Sequence, residues 1–302
     1  AAAAAAPAGP GESAAERRLR ESARVEERTR SVENVAEFSQ ALEQAGEKLV
    51  VVEVESEEVC EWGTETEELD SYWKRPKEEV FGPCQQLKHV FQRCARDCED
   101  VVFLYANVDG GAESEELQRH LGVDLLPSLA FFKDGAKVYE YAGAVGAGQE
   151  LGEGLLFLGD AGAGGEKASD HVVQLENMAD FKDFVENQPK DTLTVVDLSM
   201  TSASPCMKIY PAVLALAKSF KGIAVFARLL GDNGCGGAEV MKELDVVEVP
   251  TFLFYRNGKL VGRHVGSSRG DLIGQVLKQQ NAAGLPVPPP KPRSRTRSRA
   301  SR

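Results

Sequence analysis

VVEVPTFLFYRNGKLVGRHVG (246–266) reads as a proline-led strand, a two-residue Asn257-Gly258 turn and a second strand. Asn-Gly supplies the positive φ angles of a tight hairpin, and the β-branched and aromatic runs on either side suit a sheet. Working outward, the same arrangement occurs upstream in LPSLAFFKDGAKVYEYAG (126–143). Pro127 and Pro250 are each followed by a turn glycine eight residues on (Gly135, Gly258) and another sixteen on (Gly143, Gly266). Cys84 precedes Pro127 by 43 residues and Cys206 precedes Pro250 by 44. Four landmarks in register mark a tandem duplication, since self-similarity at fixed spacing is the signature of repeated units.

The starts of the units agree. VENVAEFSQALEQAGEKLVVVEV (32–54) parallels LENMADFKDFVENQPKDTLTVVDL (175–198). In each, an Asn is followed three residues later by an acid (Asn34/Glu37, Asn177/Asp180), the pattern that satisfies free N–H groups at a helix start. An amphipathic helix then leads into a Val-rich buried strand carrying one acid, Glu53 or Asp197. Unit two closes on the helix GDLIGQVLKQQ (270–280), with Leu272, Ile273, Val276 and Leu277 on one face. A βαβ crossover followed by a hairpin makes each unit an α/β domain with a central mixed sheet flanked by helices. The expected boundaries are a leader at 1–31 (disordered or solvated helix), domain one at 32–146 with an insertion near 60–81, and a Gly-rich linker at 147–170. Domain two follows at 171–282, then a Pro- then Arg/Ser-rich tail at 283–302.

The 302 residues carry a net charge of −12, and six positive charges lie in the last twelve residues, which leaves −18 on the rest. Such an acidic body repels polyanions, so nucleic acid is not the expected partner except weakly through the basic tail. No apolar run reaches the roughly 18–20 residues of a membrane span. Six cysteines are too few for a disulfide-framed secreted scaffold, and reduced thiols are expected. The four histidines show no ligand spacing, so neither metal nor cofactor is expected.

The strand VVDL, the segment SPCMKIYP and the 246–266 stretch resemble the thioredoxin family, and FGPC, LLPSLAFFKDG and YAG carry the likeness into unit one. The fold it implies is two tandem thioredoxin-like domains, similar to the drought-induced double-thioredoxin proteins of plant and algal chloroplasts. That resemblance implies a stromal disulfide reductase serving peroxiredoxins and methionine sulfoxide reductases, with a cytoplasmic location as the alternative to the Ala-rich, organelle-type leader. It also implies a nucleophilic cysteine at a helix start and a resolving cysteine three residues on. Here the nucleophile's place is taken by Ala203 in Ala203-Ser204-Pro205-Cys206 and by Phe81 in Phe81-Gly82-Pro83-Cys84. Neither unit is therefore expected to run the usual dithiol cycle.

By the same resemblance Cys206 is the resolving thiol and Asp197 its buried carboxylate, with Arg228 where a lysine is usual; the unit-one counterparts are Glu53 and Tyr105. Pro127 and Pro250 match the family's cis-proline, so Leu126–Pro127 and Val249–Pro250 are the expected client-binding positions, pairing with an extended peptide by strand addition. The insertion CEWGTETEELDSYWKRPKEEVF (60–81) adds 22 residues beside the unit-one site; a surface excursion is the first expectation, with a lid or a partner-docking loop as the alternatives. Pairings Cys206–Cys235 and Cys60–Cys84 stay open, and Cys94 and Cys98 are expected as structural thiols. The chain is accordingly expected to be a client-binding or monothiol protein of plastid redox homeostasis. An active oxidoreductase using Cys206, alone or with Cys235, and a purely structural interaction module are the alternatives.

Overall fold

The computed structural model describes residues 28–61, 77–161, 167–234 and 236–288. The chain forms two compact units, residues 1–170 with 201–211 and residues 171–200 with 212–302.

The first unit runs β1 (Thr29–Ser31), α1 (Val35–Ala45), β2 (Leu49–Glu55), α2 (Lys77–Asp97), β3 (Val101–Asn107), α3 (Ala112–Leu121), β4 (Ser128–Lys133), β5 (Ala136–Ala142) and α4 (Ala147–Gly159). Its sheet has the order β1-β3-β2-β4-β5. β1 and β2 lie parallel to β3, and β4 runs antiparallel to both β2 and β5. Helix α1 starts where its sequence says it should. The Asn34 side chain accepts from the Glu37 N–H at 2.9 Å, and Glu37 accepts from the Glu33 N–H at 3.0 Å. This reciprocal cap satisfies two otherwise orphaned donors. Central strand β2 is buried along almost its whole length because helices cover both faces of the sheet. Phe38 stacks edge-on to Phe132 on one side, and Phe91 to Phe103 on the other. The β4–β5 turn is Asp134-Gly135, with φ of 50° and 77°, as a two-residue hairpin demands.

The second sheet, in the order β10-β9-β7-β8-β6, repeats this topology. Its elements are β6 (Val172–Leu175), α5 (Met178–Glu186), β7 (Leu193–Ser199), α6 (Ser204–Ser219), β8 (Ala224–Leu230), α7 (Gly237–Glu243), β9 (Thr251–Arg256), β10 (Lys259–Val265) and α8 (Arg269–Ala282). Asn177 caps α5 through the N–H groups of Ala179 and Asp180. Asn257-Gly258 forms the hairpin at φ of 49° and 72°.

Two sequence expectations are corrected. Thr29–Ser31, assigned to the leader, is an edge strand paired with β3; three residues are too few to carry a periodic signal. Residues 147–159, assigned to the linker, form α4, which buries Leu151, Leu155, Phe157 and Leu158. The glycines that made this stretch look like a linker serve close packing instead. A Cβ on Gly154 would lie 2.6 Å from the Phe131 ring, and one on Gly159 would lie 2.9 Å from Leu49. Residues 1–27 of the leader and 289–302 of the tail lie outside the described residues.

Candidate functional site

In the first unit, β2 delivers the chain to the site. Glu53 on this strand is 1% exposed. Burial above all, then the neighbouring Glu55 charge, pushes its carboxyl up to about 8, with Lys88 pulling the other way. Glu53 faces Tyr105 in the β2–β3 register. Burial first, then the Glu53 and Glu55 charges, raise the Tyr105 hydroxyl well above its ordinary value. Lys88 on α2 pairs with Glu55 at 2.8 Å and lies 5.7 Å from the centre of the Tyr105 ring.

Beyond β2 the backbone turns around Asp109, which accepts from the Ser56 hydroxyl at 2.7 Å and the Glu57 N–H at 2.6 Å. The Ser56 oxygen in turn accepts from the Glu58 and Val59 N–H groups. This fixed loop ends at Cys60, which forms a disulfide with Cys84 of α2, their Cα atoms 6.3 Å apart. Of the two pairings the sequence left open, this one is formed, and the general expectation of reduced thiols is corrected for Cys60 and Cys84. The 24-residue separation did not settle the proximity, which arises because α2 returns the chain beside the end of β2. Trp62 and Trp73, in the middle of the insertion, lie outside the described residues.

Glu61, the next residue, engages the backbone of Leu126. Its N–H donates to the Leu126 carbonyl at 2.6 Å, and its carboxylate accepts from the Leu126 N–H at 2.8 Å. The Glu61 carbonyl accepts from the Ala144 N–H at 2.8 Å. Leu126 precedes Pro127, and the bond between them is cis. The expected client-binding backbone of unit one is thus already hydrogen-bonded within the chain. Sequence reasoning missed Glu61 and Ala144, since backbone pairing leaves no side-chain signature. One signal for Cys60 was present: Ala203 lies six residues beyond Asp197, and Cys60 lies seven beyond Glu53.

In the second repeat, Asp197 on β7 is fully buried. Burial raises its carboxyl to about 6, against the Ser199 hydroxyl, which donates to it at 2.6 Å, and the Arg228 charge. Arg228 stands opposite Asp197 in the β7–β8 register and donates to the Gln174 side chain at 2.9 Å. Ala203 precedes α6, and its carbonyl accepts from the Cys206 N–H at 2.9 Å. The Cys206 thiol, in the first turn, is fully buried. The Val249–Pro250 bond is cis, and no hydrogen bond engages the Val249 backbone among the described residues. Cys235, the candidate redox partner, lies outside the described residues. Cys98 is buried and Cys94 half-buried on α2; burial pushes the Cys94 thiol up to about 11 and raises that of Cys98, which suits inert structural thiols.

The thioredoxin family model matches residues 79–152 and 172–279, one span in each repeat. The chain belongs to the thioredoxin family. It is 37% identical over 185 residues to the chloroplastic thioredoxin-like protein CDSP32 of Arabidopsis thaliana, a match that covers 61% of this chain and 58% of that protein. The chain therefore spans somewhat over half the length of that relative. It is 34% identical over 111 residues to thioredoxin of the fish Ictalurus punctatus, covering 36% of this chain and 94% of the thioredoxin. Among solved structures, Chlamydomonas reinhardtii thioredoxin f2 is 28% identical, with a TM-score of 0.33, covering 36% of this chain and 96% of its own. Tandem thioredoxin domains with two mixed five-stranded sheets are the architecture of this chain.

Proposed function

We propose that this thioredoxin-family chain is a client-binding protein of plastid redox homeostasis, in which the second repeat holds extended polypeptide segments without catalysing their reduction. The observation that carries the reading is the unengaged Val249 backbone before cis-Pro250, in a repeat whose sequence has Ala203 at the nucleophile position. A strand that adds at Val249 gains main-chain hydrogen bonds whatever its side chains, which suits varied clients. The location rests on the chloroplastic relative, and the stroma is its finer form. Peroxiredoxins and methionine sulfoxide reductases are the client classes to try first. Cys206 is buried, so a monothiol reaction on folded clients has no exposed sulfur to start from.

Two measurements test this. In insulin-disulfide reduction with dithiothreitol as donor, Cys206→Ser is expected to match the wild type, and Ala203→Cys to turn over faster than both. Loss of turnover in Cys206→Ser would instead establish a monothiol oxidoreductase. In titration with reduced, alkylated insulin B chain, Val249→Pro removes the N–H donor and is expected to weaken binding about tenfold, the worth of one to two peptide hydrogen bonds. Val261→Ser, on the exposed side of β10, is the control. Equal affinity in all three proteins would end the groove reading.

A further inference from the structure

The two repeats differ at the place where a thioredoxin-type groove takes its client. In the second, the Val249 backbone is unengaged among the described residues. In the first, both the N–H and the carbonyl of Leu126 are bonded to Glu61, at 2.8 Å and 2.6 Å, and Glu61 is held from its other side by the Ala144 N–H at 2.8 Å. Glu61 makes the two contacts with which an added strand would pair, one through its backbone N–H and one through its carboxylate. It is also anchored through the residue before it: the Asp109-braced loop leads into Cys60, and Cys60 is bridged to Cys84. Within the bridge, Cys60 is 2% exposed while Cys84 is half-buried, so Cys84 is the more accessible residue of the pair.

We propose that the Cys60–Cys84 disulfide is a redox latch that keeps Glu61 in the client groove of the first repeat, and that its reduction by a dithiol opens that groove to extended polypeptides. A thiolate of the dithiol attacks the Cys84 sulfur, the bridge breaks, and Cys60 leaves as a thiolate that takes up a proton. The second thiol of the reductant then attacks the mixed disulfide and frees Cys84. The sum is one dithiol oxidised to a disulfide and one protein disulfide reduced to two thiols. Without the covalent closure, Glu61 is held only by its own hydrogen bonds and the Asp109-braced loop before it, and competes with a client at a lower effective concentration. The latch lies in the first repeat and does not depend on the client reading given above for the second.

Amide hydrogen exchange at Leu126 and Ala144 tests the latch directly, read by NMR on the full chain before and after treatment with dithiothreitol. Protection of both amides is expected to fall about tenfold or more on reduction, and Cys60→Ser is expected to show the reduced behaviour under either condition. Cys84→Ser serves as a second variant in case Cys60→Ser does not fold. Glu61→Ala, with the bridge intact, removes the acceptor from the Leu126 N–H and is expected to deprotect Leu126 while leaving Ala144 protected. In parallel, the reduced wild type is expected to bind reduced, alkylated insulin B chain with a second site that Val249→Pro does not abolish. Unchanged protection of Leu126 and Ala144 in the reduced protein would overturn the latch. So would alkylation and mass measurement finding Cys60 and Cys84 free after incubation with oxidised glutathione.

Discussion

Replacing Glu53 with Gln is expected to flatten the pH dependence of stability and to make the first unit far more resistant to denaturant at pH 9 than the wild type. The Glu53 carboxyl ionises near 8 in the folded chain and near 4.5 when exposed. Below pH 4.5 both states hold the proton. Between 4.5 and 8 the unfolded chain ionises while folded Glu53 keeps its proton, so unfolding releases a proton and stability falls as pH rises. Above 8 both are ionised and the loss levels off. Each pH unit of separation is worth about 1.4 kcal/mol, so the wild type loses on the order of 5 kcal/mol across this window. Gln cannot ionise, so the part of the slope that Glu53 contributes should vanish, and between about 6 and 8 that is all of it. An ordinary packing penalty would lower the stability of Glu53→Gln equally at pH 5 and pH 9, which makes the slope the informative reading. Asp197 has the same sign in a lower window, from about 4 to about 6, so Asp197→Asn should leave the 6–8 slope intact. Urea denaturation at pH 5, 7 and 9 separates the two. A Glu53→Gln curve parallel to that of the wild type would show that Glu53 is ionised in the folded chain.

That a carboxyl holds its proton at neutral pH has a bearing on the site as well as on stability. Glu53 lies on the strand that leads into the Cys60 loop, and its Oε2 has no hydrogen-bond partner among the described residues. The acid was legible in the sequence as a charge flanked by valines within a Val-rich strand, where an ionised group would be costly to bury.

Residues whose conformation is set locally were the most legible. Asn34 and Asn177 cap because their own side chains reach N–H groups two or three residues on. Asp134-Gly135 and Asn257-Gly258 turn because they tolerate positive φ. The prolines at 127 and 250 announced the duplication by spacing alone. What the sequence left open or concealed depends on partners distant in sequence. The Cys60–Cys84 bridge needs α2 to return beside the end of β2. The grip of Glu61 on Leu126 crosses 65 residues and is half main-chain, half carboxylate-to-backbone. Helix α4 was misread because composition cannot distinguish glycines that loosen a chain from glycines that let a helix approach a sheet.

That distinction can be measured within α4 itself, where Gly152→Ala and Gly154→Ala are expected to shift stability in opposite directions. Alanine in place of a helix-interior glycine gains about 1 kcal/mol from backbone entropy, wherever the new methyl has room. At Gly152 a Cβ meets nothing within 4 Å, and the position is exposed, so the full gain of about 1 kcal/mol should appear. At Gly154 the Cβ would sit 2.6 Å and 2.7 Å from two atoms of the Phe131 ring. Phe131 is itself completely buried between β4 and the helix and stacks against Tyr139 at 5.7 Å, so the ring cannot swing away. Either α4 lifts or the ring leaves its rotamer, at roughly 1–3 kcal/mol for overpacking. The propensity gain is common to both, so Gly154→Ala should be the less stable variant by about 1–3 kcal/mol relative to Gly152→Ala, and Gly154→Leu should fall further still. Thermal or urea unfolding of the two alanine variants decides the matter. Equal stabilisation by both would mean that α4 does not press on Phe131 and that residues 147–159 behave as the linker their composition suggests. Opposite signs would establish α4 as the closing helix of the first thioredoxin unit, with Gly154 as the point where it meets the sheet.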